Sequence, residues 1–369
     1  MASLPPTRRA LRRFPEAGLL GVILALALLL GWAGGTVRLP KFERLPDGTR
    51  QRVTRAGPDG DRLPVFEERN KFFNAQNLTQ LAKDTSFVAI MAVGMTWVII
   101  AGQIDLSVGA IYALASVAGA LVLHRLGPEG SGAATSLAVG AGVATCIATG
   151  ALCGLANGVL IVGLQVHPFI ITLGTMAVFR GIAFVATQGQ SIGGFPTAFR
   201  EGIKWETASG LTLVPLGVMV AITVAGGVFL SRAAAGRHIY AIGGNELASR
   251  YSGIRVNRVK LGVFLASGTT AGIAALLSLG YYGAATSGDG QGYELSVIAA
   301  AVIGGASLTG GRGSALGALF GALIIQMIQS GIVILGIDQN YSQILIGSVV
   351  ILAVLLDQLT ARRLISSKR

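Results

Sequence analysis

The chain has 369 residues, of which 52% are hydrophobic and only 12% charged, and its mean hydropathy is +0.66. Soluble domains carry about 25% charged residues, so the composition excludes an ordinary soluble protein and predicts an integral membrane protein. The net charge of +12 is accounted for by basic flanks and one polar extension, which leaves no case for nucleic-acid binding.

Residues 1–17 hold Arg8, Arg9, Arg12 and Arg13 with no acid before Glu16, and read as a cytoplasmic tail. Residues 18–34 are apolar and predict a first transmembrane helix. A cleaved signal peptide is the competing reading, given Ala33, Gly34 and Gly35 at its end. The length of the run and its basic flank favour an uncleaved span. Residues 35–83 mix ten Lys/Arg with six Asp/Glu and include Pro40, Pro46, Pro58 and Pro64, which predicts an extended external segment. Within it, the stretch from Phe42 to Val53 reads as a small hairpin around the turn Pro46-Asp47-Gly48.

The core, residues 84–358, divides into nine further apolar runs: 84–102, 107–124, 135–163, 168–187, 211–231, 259–280, 294–307, 313–335 and 341–358. A span needs about 20 apolar residues, fewer where a helix is broken or shielded by protein. Ten spans place both termini on one side, and the tail 359–369, with Arg362, Arg363, Lys368 and Arg369, is basic as well. The expected fold is an all-α polytopic membrane protein of about ten helices, both termini cytoplasmic.

A polar island interrupts the core at residues 232–258. Arg232, Arg237, Arg250, Arg255, Arg258 and the adjoining Lys260 face the single acid Glu246. Such an excess marks a cytoplasmic loop. It predicts a short helix of its own, with Asn245 as N-cap, Glu246 at the positive end of the dipole, Arg250 in the last turn and Gly253 as a left-handed stop. Taken alone, the island is equally an ordinary loop that sets topology.

Two Gly- and hydroxyl-rich interruptions echo each other 202 residues apart, GQIDLSVG at 102–109 and GGASLTGG at 304–311. Gly102/Gly304, Leu106/Leu308 and Gly109/Gly311 are identical in that alignment, which suggests an internal duplication with parallel repeats. Asp105 is the one acid in a long apolar stretch. It reads either as a helix cap assisted by Ser107 or as a lining residue of a path. Asn157, Phe169, Thr172 and Gln326 are of the kind that line a sugar path, and each has an equal claim to a packing role. Cys146, Cys153 and the three histidines make no metal-ligand pattern, and the chain has neither a phosphate loop nor a catalytic triad.

Read together, MAVGMT and GQIDLSVG (91–109), YAIGGNE (240–246) and GGASLTGGRG (304–313) resemble the permease subunits of ribose-type sugar ABC importers, in order from about residue 70 to residue 358. The resemblance implies a type II importer-like bundle in the bacterial inner membrane, and two permeases, identical or related, pairing within the bilayer. It also implies two cytosolic ATPase subunits that bind ATP and magnesium, a sugar-binding protein that delivers substrate, and no cofactor or catalysis on this chain. Arg237, Tyr240, Gly244, Asn245, Glu246, Arg250 and Gly253 then fall in the region that couples to the ATPase. The segment from about Arg38 to Glu68 departs from the family as an insertion, either surface decoration or a contact for the delivery protein. A branched-chain amino acid permease and an ion-coupled secondary transporter are the competing readings. The sugar and the identity of the partner permease are not specified.

Overall fold

The computed structural model describes residues 16–44, 50–56, 61–128, 135–207 and 210–366. The N-terminal arginines, the turn Pro46-Asp47-Gly48, Pro58, Lys368 and Arg369 lie outside the described residues.

The molecule is a helical bundle with a small β-ribbon at one end. Among the described residues, seven helices are long and apolar enough to cross a membrane: α2 (Ala75–Ile100), α3 (Val108–Leu126), α4 (Thr135–Leu164), α5 (Pro168–Thr187), α7 (Leu213–Arg232), α10 (Val256–Tyr282) and α12 (Ala315–Ile334). Three shorter apolar helices, α1 (Ala17–Ala33), α11 (Tyr293–Ile303) and the start of α13 (Tyr341–Ser366), complete the expected ten. Short helices α6 (Thr197–Ile203), α8 (Ala234–Gly244) and α9 (Glu246–Tyr251) lie between spans.

Helix α2 is the axis. It is apolar nearly all round, and a helix without a polar face must be enclosed by others. Its residues from Phe87 to Ile100 are buried except at Trp97, against α10, α11 and α12. The rim helices α5, α7 and α13 instead expose large aliphatic side chains such as Ile170, Val185, Val224 and Ile351, as lipid-facing helices do. Where α4 crosses α10, Gly150 and Gly154 meet Gly268 and Gly272 backbone to backbone, with no room for a Cβ on any of the four. Small residues four apart allow this close approach.

Helix α2 starts at Ala75, nine residues before the apolar run begins at 84. The carboxamide of Asn74 caps it, accepting a 2.8 Å hydrogen bond from the Asn77 amide. Polar Asn77, Gln80, Lys83 and Asp84 therefore lie on the helix and not in the preceding loop.

The insertion folds as three antiparallel pairs: a stem of β1 (Thr36–Pro40) with β6 (Phe66–Asn70), and two arms, β2 (Phe42–Arg44) with β3 (Arg50–Arg52) and β4 (Thr54–Ala56) with β5 (Arg62–Pro64). The first arm is the hairpin expected from the sequence. The arms and stem meet at Lys41, Val53 and Val65, each twelve residues apart. Their backbones form a ring of hydrogen bonds: Lys41 N to Val65 O (2.8 Å), Val65 N to Val53 O (2.9 Å) and Val53 N to Lys41 O (2.8 Å). At the base of the stem, Asn70 Nδ2 donates to the Gly31 carbonyl of α1 at 2.7 Å.

Candidate functional site

The polar island forms α8 and α9. Asn245 caps α9 as expected, accepting from the Ala248 amide at 2.9 Å. Gly253 takes a φ of +82° and ends the helix, with Gly253 N bonded to Arg250 O and Ile254 N to Ser249 O at 3.1 Å each. That is the paired bonding of a left-handed helix stop. Leu247 and Tyr251 stand exposed on α9, 61% and 83% accessible, so the short helix offers an apolar and aromatic surface beside Arg250. Glu246 does more than favour the helix dipole. Lys260 Nζ of α10 bonds both of its oxygens, at 2.9 and 3.0 Å, and Arg250 lies at 3.5 Å. Arg237 is exposed and bonds the Arg232 carbonyl at the end of α7 (3.0 Å).

On its inner side the island sits where two interrupted spans meet. Helix α2 ends in a left-handed turn at Gly102 (φ +73°), with Gly102 N on Ile99 O and Gln103 N on Val98 O. Helix α11 ends in the same way at Gly305 (φ +92°), with Gly305 N on Val302 O and Ala306 N on Ala301 O. The structural counterpart of Gly102 is therefore Gly305, one residue beyond the Gly304 of the sequence alignment. The echo is real as a pair of helix stops, but its register is shifted by one. Both breaks lie at the same end of the bundle and touch: Gly311 N donates to Ile100 O at 2.8 Å. Gly243 of α8 packs on that junction so closely that a Cβ would strike the Ile100 carbonyl. Tyr240 of α8 donates its hydroxyl to Gly313 O at 2.7 Å, and burial pushes its phenol above the ordinary range. Gly244 has open space around it.

Asp105 lies in the first break and is fully buried. The N-cap position of α3 is taken by Ser107, which makes no side-chain cap bond, and Asp105, two residues upstream, accepts the backbone N–H at the start of the helix with Ser107 assisting, as the cap reading expected. Asp105 Oδ1 accepts from the Ser107 amide (3.0 Å) and Ser107 Oγ (2.6 Å), and Oδ2 accepts from Ser267 Oγ of α10 (2.9 Å). Asn157 Nδ2 of α4 donates to Ser107 Oγ at 2.7 Å, and its own Oδ1 has no partner among the described residues. Thr172 of α5 makes a long 3.5 Å contact to the Ile104 carbonyl. One polar cluster thus ties the break to three spans, and it unites Asp105, Ser107, Asn157 and Thr172. Phe169 and Gln326 do not join it. Phe169 is 45% exposed at the start of α5, and Gln326 lies buried on α12, where it lines a separate cavity.

Ser267 and Lys260 complete this arrangement on α10. Lys260 had been counted only as part of a charge excess, and Ser267 is one hydroxyl among many in a small-residue helix. Their seven-residue spacing, two helical turns on one face, is the signal that joins the island to the buried acid.

A family model described as branched-chain amino acid transport system / permease component matches residues 77–354. The chain belongs to this permease family. Ribose import permease proteins of Escherichia coli (strain K12) and Bacillus subtilis (strain 168) are 39% and 41% identical to this permease over 292 and 289 residues. These alignments cover 78% of the permease and 87% and 86% of the relatives. The fructose import permease protein of Rhizobium meliloti is 34% identical over 295 residues, 78% of this chain and 79% of its own. No solved structure matches the permease. The matched residues include both breaks and the island but not the β-ribbon, which precedes them.

Proposed function

We propose that this permease is the membrane subunit of an ATP-driven importer for a monosaccharide, paired with a second permease and served by two cytosolic ATPase subunits and an external sugar-binding protein. ATP and magnesium belong to the ATPase subunits, and this chain is the path and not the enzyme. The names of its relatives support the sugar class. The observation that carries the mechanism is the seat of α8 and α9. An exposed capped helix is tied through Glu246 and Lys260 to α10, and its neighbour rests on the touching ends of α2 and α11.

In this reading α9 is the surface an ATPase grips. Closure of the ATPases moves α8 and α9 as a unit. Gly243 and Tyr240 pass the displacement to both breaks, and Lys260 passes it to α10. The ATPase shifts access only to the extent that it binds one state more tightly than the other. The island is then cytoplasmic, in accord with its basic charge, which places both termini in the cytoplasm and the ribbon outside.

The test is uptake of labelled D-ribose, D-allose and D-fructose by vesicles carrying the chain with its neighbouring ATPase and binding protein. Glu246→Arg removes the Lys260 tie without touching the polar cluster. ATP-dependent uptake that disappears in the mutant, while the binding protein still docks, is the expected result. Uptake that needs no ATPase, or that survives the substitution, overturns the coupling role.

A further inference from the structure

At the end of the bundle opposite the island, two helices turn polar stripes toward each other. Asn77, Gln80 and Asp84 follow one face of α2, with Leu81 among them. Gln326, Gln329 and Ser330 follow one face of α12. Both stripes line a cavity of about 460 Å³. Gln339 and Ser342, at the entry to α13, close its third side.

Carboxamides buried between apolar helices are costly unless protein, water or a ligand satisfies them. Here they are only partly satisfied by protein. Ser330 Oγ donates to Asn77 Oδ1 at 3.0 Å, which joins the stripes at one point. Gln326 is 7% exposed, lines the cavity, and makes no side-chain hydrogen bond among the described residues. Asp84 is held from behind: Lys83 Nζ lies 3.1 Å from Oδ1, and Tyr282 donates to the same oxygen at 3.3 Å. Its Oδ2 accepts from Gln80 at 3.0 Å and keeps capacity for a further donor. Lys83 is itself buried over the Tyr281 and Tyr282 rings, at 4.1 and 4.8 Å from their centroids, so the carboxylate is fixed by a rigid support. The lining thus offers paired donors and acceptors from amides and one oriented carboxylate. Among the described residues, no Lys or Arg lines it. That set suits a neutral molecule dense in hydroxyl groups, each of which donates and accepts. The base of the ribbon borders the same space, since Val37 shares an adjoining hollow with Asn74, Gln76, Asn77 and Gln80.

We propose that this cavity is a monosaccharide-binding antechamber within the single permease chain, which holds the sugar between its release by the delivery protein and its passage through the bundle. The proposal rests on the import function above and adds a selective site of the permease's own. Gln326 and Gln329 receive hydroxyls from α12, and Asp84 orients the ring from α2.

The test uses the purified full-length chain in nanodiscs, without ATPase or delivery protein. Saturation-transfer NMR is run against a panel of pentoses and hexoses that includes D-ribose, D-allose and D-fructose. Saturable binding of at least one sugar is expected. Gln326→Leu and Gln329→Leu, near in volume, should each weaken it about tenfold, the worth of one or two hydrogen bonds. Thermal unfolding shows that each variant is folded. Absence of saturable binding to the wild-type chain overturns the proposal, as does equal binding by two folded variants. Uptake by the complete transporter, measured in parallel, separates the two ideas. Uptake without binding to the isolated permease sinks the antechamber and leaves the import function standing, whereas no ATP-dependent uptake of any sugar sinks the import function.

Discussion

The polar places around Asp105 and around Gln326 are built on opposite terms. Around Asp105 the polar groups spend themselves on one another, with Asn157 Oδ1 the exception. Three hydrogen bonds converge on one buried carboxylate and join a break in one helix pair to α4 and α10. Around Gln326 the amides face open space, and the strongest internal bonds lie behind the lining, at Lys83, Asp84 and Tyr282. A polar residue in a span is therefore not by itself a site. What distinguishes a lock from a site is whether its hydrogen-bonding capacity is used up by the protein or left for something else.

That contrast fixes where substitutions should hurt. Asp105→Leu leaves the donors of Ser107 and Ser267 buried and unpaired, and should lower stability by about 3 kcal/mol in thermal or denaturant unfolding. A stability near wild type would mean the cluster is not a lock. Ser267→Ala removes one bond to the carboxylate and should cost about 1.5 kcal/mol, with the same assay as judge. Gln326→Leu stands at the other extreme. It deletes a carboxamide that the protein leaves unbonded, so stability should change by under about 0.5 kcal/mol or rise slightly, while sugar binding falls. A large loss of stability there would erase the difference between the two places.

Much of the bundle was legible from composition, because ten apolar runs between polar breaks are a direct consequence of bilayer thickness. The α9 helix was legible to the residue, since Asn245 and Gly253 each have a local reason to be where they are. Asp105 and Gln326 were legible only as unusual. Their partners, Ser267 at a separation of 162 residues and the α2 stripe some 250 residues away, are set by tertiary packing that no local pattern encodes. The start of α2 was missed for a related reason. Asn77 and Gln80 look like loop residues in a hydropathy scan, and they are helical because a cavity and a capping Asn74 make that possible. The register of the echo slipped because adjacent glycines at Gly304 and Gly305 are equivalent as letters, while only Gly305 takes the positive φ.

The ring of hydrogen bonds at Lys41, Val53 and Val65 has one more implication. The ribbon leaves the bundle and returns to it through a single paired stem, with Thr36 opposite Asn70 and Pro40 opposite Phe66. Its two ends are thus already joined before either arm begins. A segment attached in this manner can be lengthened, trimmed or replaced beyond Pro40 and Phe66 without altering the distance between α1 and α2. Evolution, or an engineer, can treat it as an exchangeable cartridge plugged into one end of the bundle.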